Sequence, residues 1–259
     1  MEYGFNIDIN PEHFPITKDV SDFKSNLKAS TVKLKNYLLK DNVSIDAKTV
    51  IKHLFPAQRC DIFISHSFQD QDLAIQLALD LEKKGITAFI DSTVWGSAYE
   101  LLKAIDEKHC KIKGTTRYHY DLRNRSTAHV YMILATALQQ MISDSTALFF
   151  LNTDHSLSTQ HSIEDEDEDK TGSPWIHMEL MFSHFIWQAK HAKELVIATE
   201  SRALDSVPVF HEAKTDHLKA LTGLGLQRWI GEQETQSNSM EILESLSKLH
   251  GGSSLRSRV

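Results

Sequence analysis

Short apolar runs alternate with helically spaced apolar positions along most of the chain. Cys60-Asp61-Ile62-Phe63-Ile64-Ser65 is β-branched and aromatic, which predicts a buried strand. A polar turn from His66 to Asp70 leads into a helix carrying Leu73, Leu77, Leu79 and Leu81, with Gly85 suited to the C′ position. Thr87 to Asp91 predicts a second strand, completing a β-α-β unit with a right-handed crossover. A loop over Ser92–Ser97 precedes helices expected at about Tyr99–Glu107 and Ala128–Ser143, and Ala147–Asn152 reads as a third, central strand. Ser173-Pro174 opens the next helix, with proline at the favoured first position, running to about Ala192. Leu195–Ala198 and Leu226–Ile230 predict fourth and fifth strands, and Met240–Leu249 a closing helix. The alternation specifies an α/β fold with a five-stranded parallel sheet covered by helices on both faces.

Residues 1–58 read as a separate, mostly helical N-terminal extension. Pro11 and Pro15 break the stretch Asn6–Thr17, Phe23 to Leu39 has roughly helical spacing, and a short helix through Val50 and Leu54 ends at Pro56. The main domain then covers 59–250, and 251–259 form a tail. Two stretches interrupt its pattern as insertions: about 111–127, polar, basic and aromatic, and about 156–172. Ligands of open parallel sheets sit at the C-terminal ends of strands, which points to the loops after Ser65, Asp91 and Asn152.

Composition narrows the class. The 259 residues are 41% hydrophobic and 24% charged, as in a globular chain. The net charge of −7 owes most to six consecutive acids, Glu164–Asp169; without them 28 basic residues face 29 acidic ones, so no nucleic-acid footprint is expected. Cys60 and Cys110 cannot build a disulfide framework or a zinc site alone, and the fourteen histidines are scattered, with none at ligand spacing that points to a metal. The N-terminus has no signal-peptide character and no run approaches the length of a membrane span, so a cytoplasmic protein without a membrane partner is expected. Gly223-Leu224-Gly225 lacks the strand-to-helix context of a dinucleotide fingerprint.

The segment Asp61-Ile62-Phe63-Ile64-Ser65, with Gly85 and Phe89-Ile90-Asp91, resembles the opening of a TIR (Toll/interleukin-1 receptor) domain. Ser173-Pro174-Trp175-Ile176-His177-Met178-Glu179-Leu180 is similar to the segment of enzymatic TIR domains in which a glutamate follows a tryptophan by four residues. The resemblance covers about residues 59–250. It implies a flavodoxin-like TIR fold and cleavage of the nicotinamide–ribose bond of NAD, giving ADP-ribose or a cyclic or conjugated ADP-ribose signal. Bacterial members of this kind commonly serve antiphage defence. No cofactor is implied, NAD being the substrate. Self-association through TIR domains and a downstream effector that senses the product are implied as well. Receptor and adaptor members instead do no chemistry and act by TIR–TIR association, which is the alternative reading. A deoxyribosyltransferase-like enzyme on a similar sheet is a third.

Cleavage releases a neutral pyridine and builds positive charge on the ribose, so one well-placed carboxylate is what the chemistry requires. Glu179 fits that role, with Trp175 one turn earlier on the same helix face as a possible wall for the ring. Without the resemblance, both would read as ordinary residues of an amphipathic helix. His66, Ser67 and Phe68 fall where the family lines the nicotinamide end, although Ser67 or Asp70 also suits a helix cap. Asp91 and Trp95 belong to the loop that gates the site in the family; Asp91 also suits local loop hydrogen bonds. Arg123 and Arg125, among aromatics, are candidate pyrophosphate contacts.

Overall fold

A computed structural model describes residues 1–10, 14–26, 47–55, 59–157, 170–191, 211–233 and 238–248. Its strands are β1 (Tyr3–Asp8), β2 (Ile62–Ser65), β3 (Ala88–Ile90), β4 (Ala147–Asn152), β5 (Lys170–Thr171), β6 (His211–Glu212) and β7 (Lys219–Thr222). Five of them form one sheet in the order β3-β2-β4-β1-β7, and every pairing in it is parallel. The short β5 and β6 pair antiparallel as a separate ribbon.

Alternation along the strands separates two cores. Ile62, Ile64, Phe149 and Leu151 face α2 (Gln71–Glu82), α6 (Gly223–Glu232) and α7 (Ser239–Lys248). Phe63, Leu148 and Phe150 face α1 (Ala47–Leu54), α3 (Ser92–Ile105), α4 (Tyr120–Asp144) and α5 (Pro174–His191). The expected α/β class with a parallel five-stranded sheet therefore stands. Gly85 has φ +80°, and Ile86 N–H bonds Leu81 O at 3.1 Å, so the glycine closes α2 as its position predicts.

The extension is where expectation and structure part. Residues 3–8 are not a preamble: β1 lies between β4 and β7, pairing Phe5 with Phe149 and with Lys219. Phe5, Ile7 and Ile9 are fully buried, each stabilising the fold by roughly 1.5–3 kcal/mol. Proline pulled the reading towards loop, but Pro11 and Pro15 lie beyond the strand and leave Gly4 to Asp8 free to pair. Farther along, Phe14 and Val20 pack into the α2 core, and Thr17 bonds Gln76 Oε1 through both N–H (2.8 Å) and hydroxyl (2.9 Å). The segment thus packs against its own domain.

Three other expectations change. Leu226–Ile230 is not a strand but part of α6, because Thr222 caps it by accepting from Gly225 N–H at 3.1 Å, and Leu226, Trp229 and Ile230 bury with helical spacing. The edge strand is β7, just before it. Ser92–Ser97 is the start of α3 rather than a loop. Of the insertion at 111–127, residues 120–127 are the first turns of the 25-residue α4; the remainder is a tight turn closed by the Lys111–Tyr118 bridge, with Gly114 at φ +76°. The predicted strand Leu195–Ala198, the acidic run 164–169 and the tail 251–259 lie outside the described residues. Among the described residues no helix is long and apolar enough to cross a membrane.

Candidate active site

The sheet reverses its direction of growth between β2 and β4, since β2 connects outward to β3 while β4 lies on its other side. Such a reversal opens a crevice at the C-terminal strand ends, and the polar residues that the structure buries gather there.

Ser65 ends β2 and His66 follows it, both buried. His66 Nδ1 lies 3.0 Å from Asp91 Oδ1 and 3.3 Å from Ile64 O, and Nε2 lies 2.8 Å from Ser92 Oγ. Gln71 Nε2 donates to Ser92 Oγ at 3.1 Å, adding a second tie between the start of α3 and the β2 loop. Burial by itself would lower the His66 pKa; the charge of Asp91, hydrogen bonds to Asp91 and Ile64 O, and the charge of Asp70 outweigh it and raise the pKa above the usual histidine value. Asp91 has helical backbone angles and makes no side-chain cap bond to α3, which leaves its carboxylate turned inward.

Glu179 arrives from the second turn of α5 and is 0% exposed. Its neighbours in charge and polarity are Asp91 and Ser65. Burial first, and the Asp91 charge second, push its pKa well above the ordinary carboxylate range, while Ser65 draws it down. Neither Glu179 oxygen, nor the Ser65 hydroxyl, makes a hydrogen bond of normal geometry. Each buried polar group left this way costs about 1–3 kcal/mol, a cost that folds rarely carry without a use for it. Of these groups, the site favours the neutral form of Glu179 and the protonated form of His66. A cation arriving at Glu179 would shift that acid towards its carboxylate.

A second network braces the crevice. Thr153, after β4, donates to Asp70 Oδ2 at 2.6 Å, and His155 Nδ1 lies 2.9 Å from Asp70 Oδ1. Ser156 Oγ donates to Leu151 O at 2.6 Å and fixes the turn. Asp70 therefore ties the β2 loop to the β4 loop across the reversal point.

The sequence candidates divide accordingly. His66, Asp91 and Glu179 come together. Ser67 caps the short 3-10 turn Phe68–Asp70, accepting from Gln69 N–H at 3.4 Å, and Phe68 projects outward, 69% exposed. Trp175 is half-buried and packs edge-on against Tyr131 of α4, ring centroids 5.6 Å apart. Trp95 belongs to the first turns of α3, and its side chain lies outside the described residues. Arg123 Nε donates to Asp106 Oδ2 at 2.8 Å, and its guanidinium lies over the Tyr118 ring, which fastens α4 to the π-helical turn Asp106–Cys110. Arg125 is exposed on α4. Ser65, Ser92, Gln71 and the Asp70–Thr153–His155 set are absent from the sequence candidates. The available signal was position alone, as polar residues directly after strand ends. The one group of three metal-ligating side chains found among the described residues brings His184 of α5 against Asp216 and His217 in the turn before β7, a grouping that sequence spacing does not show.

Comparison with protein-family models, curated proteins and solved structures finds no match to this chain.

Proposed function

We propose that this chain is a TIR-type NAD glycohydrolase or cyclase, with Glu179 as the essential carboxylate. The observation that carries the reading is the burial of Glu179 beside Asp91 and Ser65 at the tips of β3 and β2, on the helix where the resemblance puts the family's glutamate. The strand order agrees with a flavodoxin-like arrangement: counted from β2, the neighbours run second, first, third, then β1 in the fourth place and β7 at the edge.

The chemistry follows from the charges. Nicotinamide in NAD is a cation, and its charge beside Glu179 favours the carboxylate form of that acid, its proton passing to solvent as the site opens to admit substrate. The bond from C1′ to the pyridine nitrogen breaks with its electron pair going to nitrogen, and nicotinamide leaves neutral. Positive charge develops at C1′ and the ring oxygen, where a carboxylate in a water-poor site stabilises it most. Water adding at C1′ and losing a proton gives ADP-ribose; a nucleophile within the same molecule gives a cyclic product. His66 and Asp91 act by holding charge beside Glu179.

Glu179 is closed off in this conformation, so substrate entry requires a shift of its cover. The start of α3, held by the Ser92 bonds to His66 and Gln71, is the segment we assign to that movement. It corresponds to the stretch through which TIR domains assemble, so self-association and opening are coupled in this reading, as is a role in immune signalling through an effector that senses the product. The same complete burial favours the second reading, a TIR interaction module in which Glu179 is a buried neutral acid. Incubation of purified protein with NAD, with free nicotinamide and ADP-ribose products followed by mass spectrometry, separates the two. Turnover that disappears in Glu179→Gln supports the enzyme. Equal turnover in both proteins defeats it, and self-association unchanged in Glu179→Gln without any turnover supports the module.

A further inference from the structure

Beyond Glu179, α5 carries a second set of buried polar side chains. His184 lies five residues on, about 7.5 Å of helix rise from the acid. It meets His217, ring centroids 5.1 Å apart, in a turn that Leu218 N–H closes on Thr215 O at 2.9 Å just before β7. Because β7 begins there, the pair lies at the N-terminal side of the parallel sheet, away from the strand tips that hold Ser65 and Asp91.

The hydrogen bonds determine where the lone pairs are. Ser183 Oγ donates its only proton to Leu180 O at 2.8 Å. At its other contact, 2.8 Å from His217 Nε2, it must therefore accept, so His217 carries its proton on Nε2. The Nδ1 lone pair is left over. His217 Nδ1 and His184 Nδ1 are both buried and neither has a hydrogen-bond partner. Asp216 Oδ1 stands 3.5 Å from His184 Nδ1 and 3.9 Å from His217 Nδ1. One ligand atom from each of the three residues lies within 4.8 Å of the others.

Two buried imidazoles, each with an unpartnered Nδ1, and one exposed carboxylate form a nitrogen–nitrogen–oxygen donor set. Ligand atoms about 2.0–2.2 Å from a zinc ion stand roughly 3.4 Å apart in tetrahedral geometry. The carboxylate–imidazole separations, 3.5 and 3.9 Å, lie near that value, and the Asp216 side chain is 68% exposed. The Ser183 contact to His217 Nε2 is the outer hydrogen bond that metal-bound histidines characteristically make to fix the ring. We propose that His184, Asp216 and His217 bind a divalent transition metal of the zinc class, clamping the middle of α5 to the turn before β7.

The test uses the full chain, stripped with chelator, dialysed and titrated with Zn2+ and separately with Co2+. Expected are one equivalent of metal per chain, visible Co2+ absorption of a low-coordinate nitrogen/oxygen site, and a raised melting temperature with Zn2+. Asp216→Asn, at an exposed position that leaves the core intact, weakens binding at least tenfold, as does His217→Gln. Ser183→Ala weakens it about 10–100-fold. His109→Gln, at an exposed histidine, leaves it unchanged. Failure to take up a stoichiometric equivalent overturns the proposal, as does affinity that Asp216→Asn leaves intact. The readout is metal occupancy, independent of NAD turnover.

Discussion

The carboxyl of Glu179 abuts that of Asp91 in a site closed to water, and Asp91 meets the imidazole of His66 at 3.0 Å on its other side. Burial and the neighbouring Asp91 favour the neutral form of Glu179, while Asp91 favours the protonated form of His66. That distribution makes the cluster sensitive to pH and to single changes of charge.

Glu179→Gln should remove NAD cleavage by at least about a hundredfold while stabilising the protein at neutral and alkaline pH. The folded chain keeps a proton on Glu179 that the unfolded chain loses above about pH 4.5, so wild-type stability declines as pH rises from there towards the raised folded value. The slope is about 1.4 kcal/mol per pH unit for one retained proton. Glutamine cannot ionise, so it carries no such pH-dependent cost. Melting temperatures of the two proteins should converge near pH 4 and separate above it; parallel curves would refute the buried neutral acid.

Asp91→Asn should lower the pKa of both its neighbours. Glu179 loses a repelling charge, and His66 loses the partner that holds its proton against burial. In the wild type His66 contributes stability that is complete below pH 6.5 and is lost as pH rises through its raised value. The imidazole resonances of His66, followed by NMR across pH 5–9, should titrate at lower pH in the variant.

His66→Ala should destabilise the fold by about 3–5 kcal/mol, because it leaves Asp91 buried beside an acid with no counter-charge. The double variant His66→Ala/Asp91→Ala should recover part of that loss. Urea unfolding of the singles and the double gives the coupling energy directly.

Arg123→Ala should leave the KM for NAD unaltered and cost under about 1 kcal/mol, since its half-exposed guanidinium serves Asp106 and Tyr118. A large rise in KM without loss of stability would instead restore Arg123 as a phosphate contact.

Phe5→Ala should cost about 3–5 kcal/mol, against under 0.5 kcal/mol for Ile16→Ala at an exposed position. Denaturant midpoints of the two variants measure the difference.

How much of this could be read beforehand depended on whether the signal was local. Ala147–Asn152 is a continuous apolar run and its strand has those same bounds, while Pro174 opens α5 as its position predicts. Glu179 stands out in the sequence only through the resemblance, in which it follows Trp175 by four residues, and that indole packs on Tyr131, a partner no local pattern encodes. Tyr3–Asp8 was missed because its burial is created by β4 and β7, strands far off in the chain; its own text, with Gly4 and Asn6, has weak strand propensity. Leu226–Ile230 is too short for its three apolar residues, Leu226, Trp229 and Ile230, to separate helix from strand, and the deciding cap, Thr222, lies outside it. The His184–His217 pair joins two segments that only the packing of α5 beside β7 brings together.

The position of β1 also fixes the order in which the molecule can be finished during synthesis. Tyr3 waits for Ala147 and Phe5 for Lys219, so β1 finds its first partner strand about 140 residues later and its second about 210 residues later. Until then the apolar side chains of Phe5 and Ile7 have no sheet to join, the kind of long-range parallel pairing that forms late and leaves sticky surface exposed in the meantime.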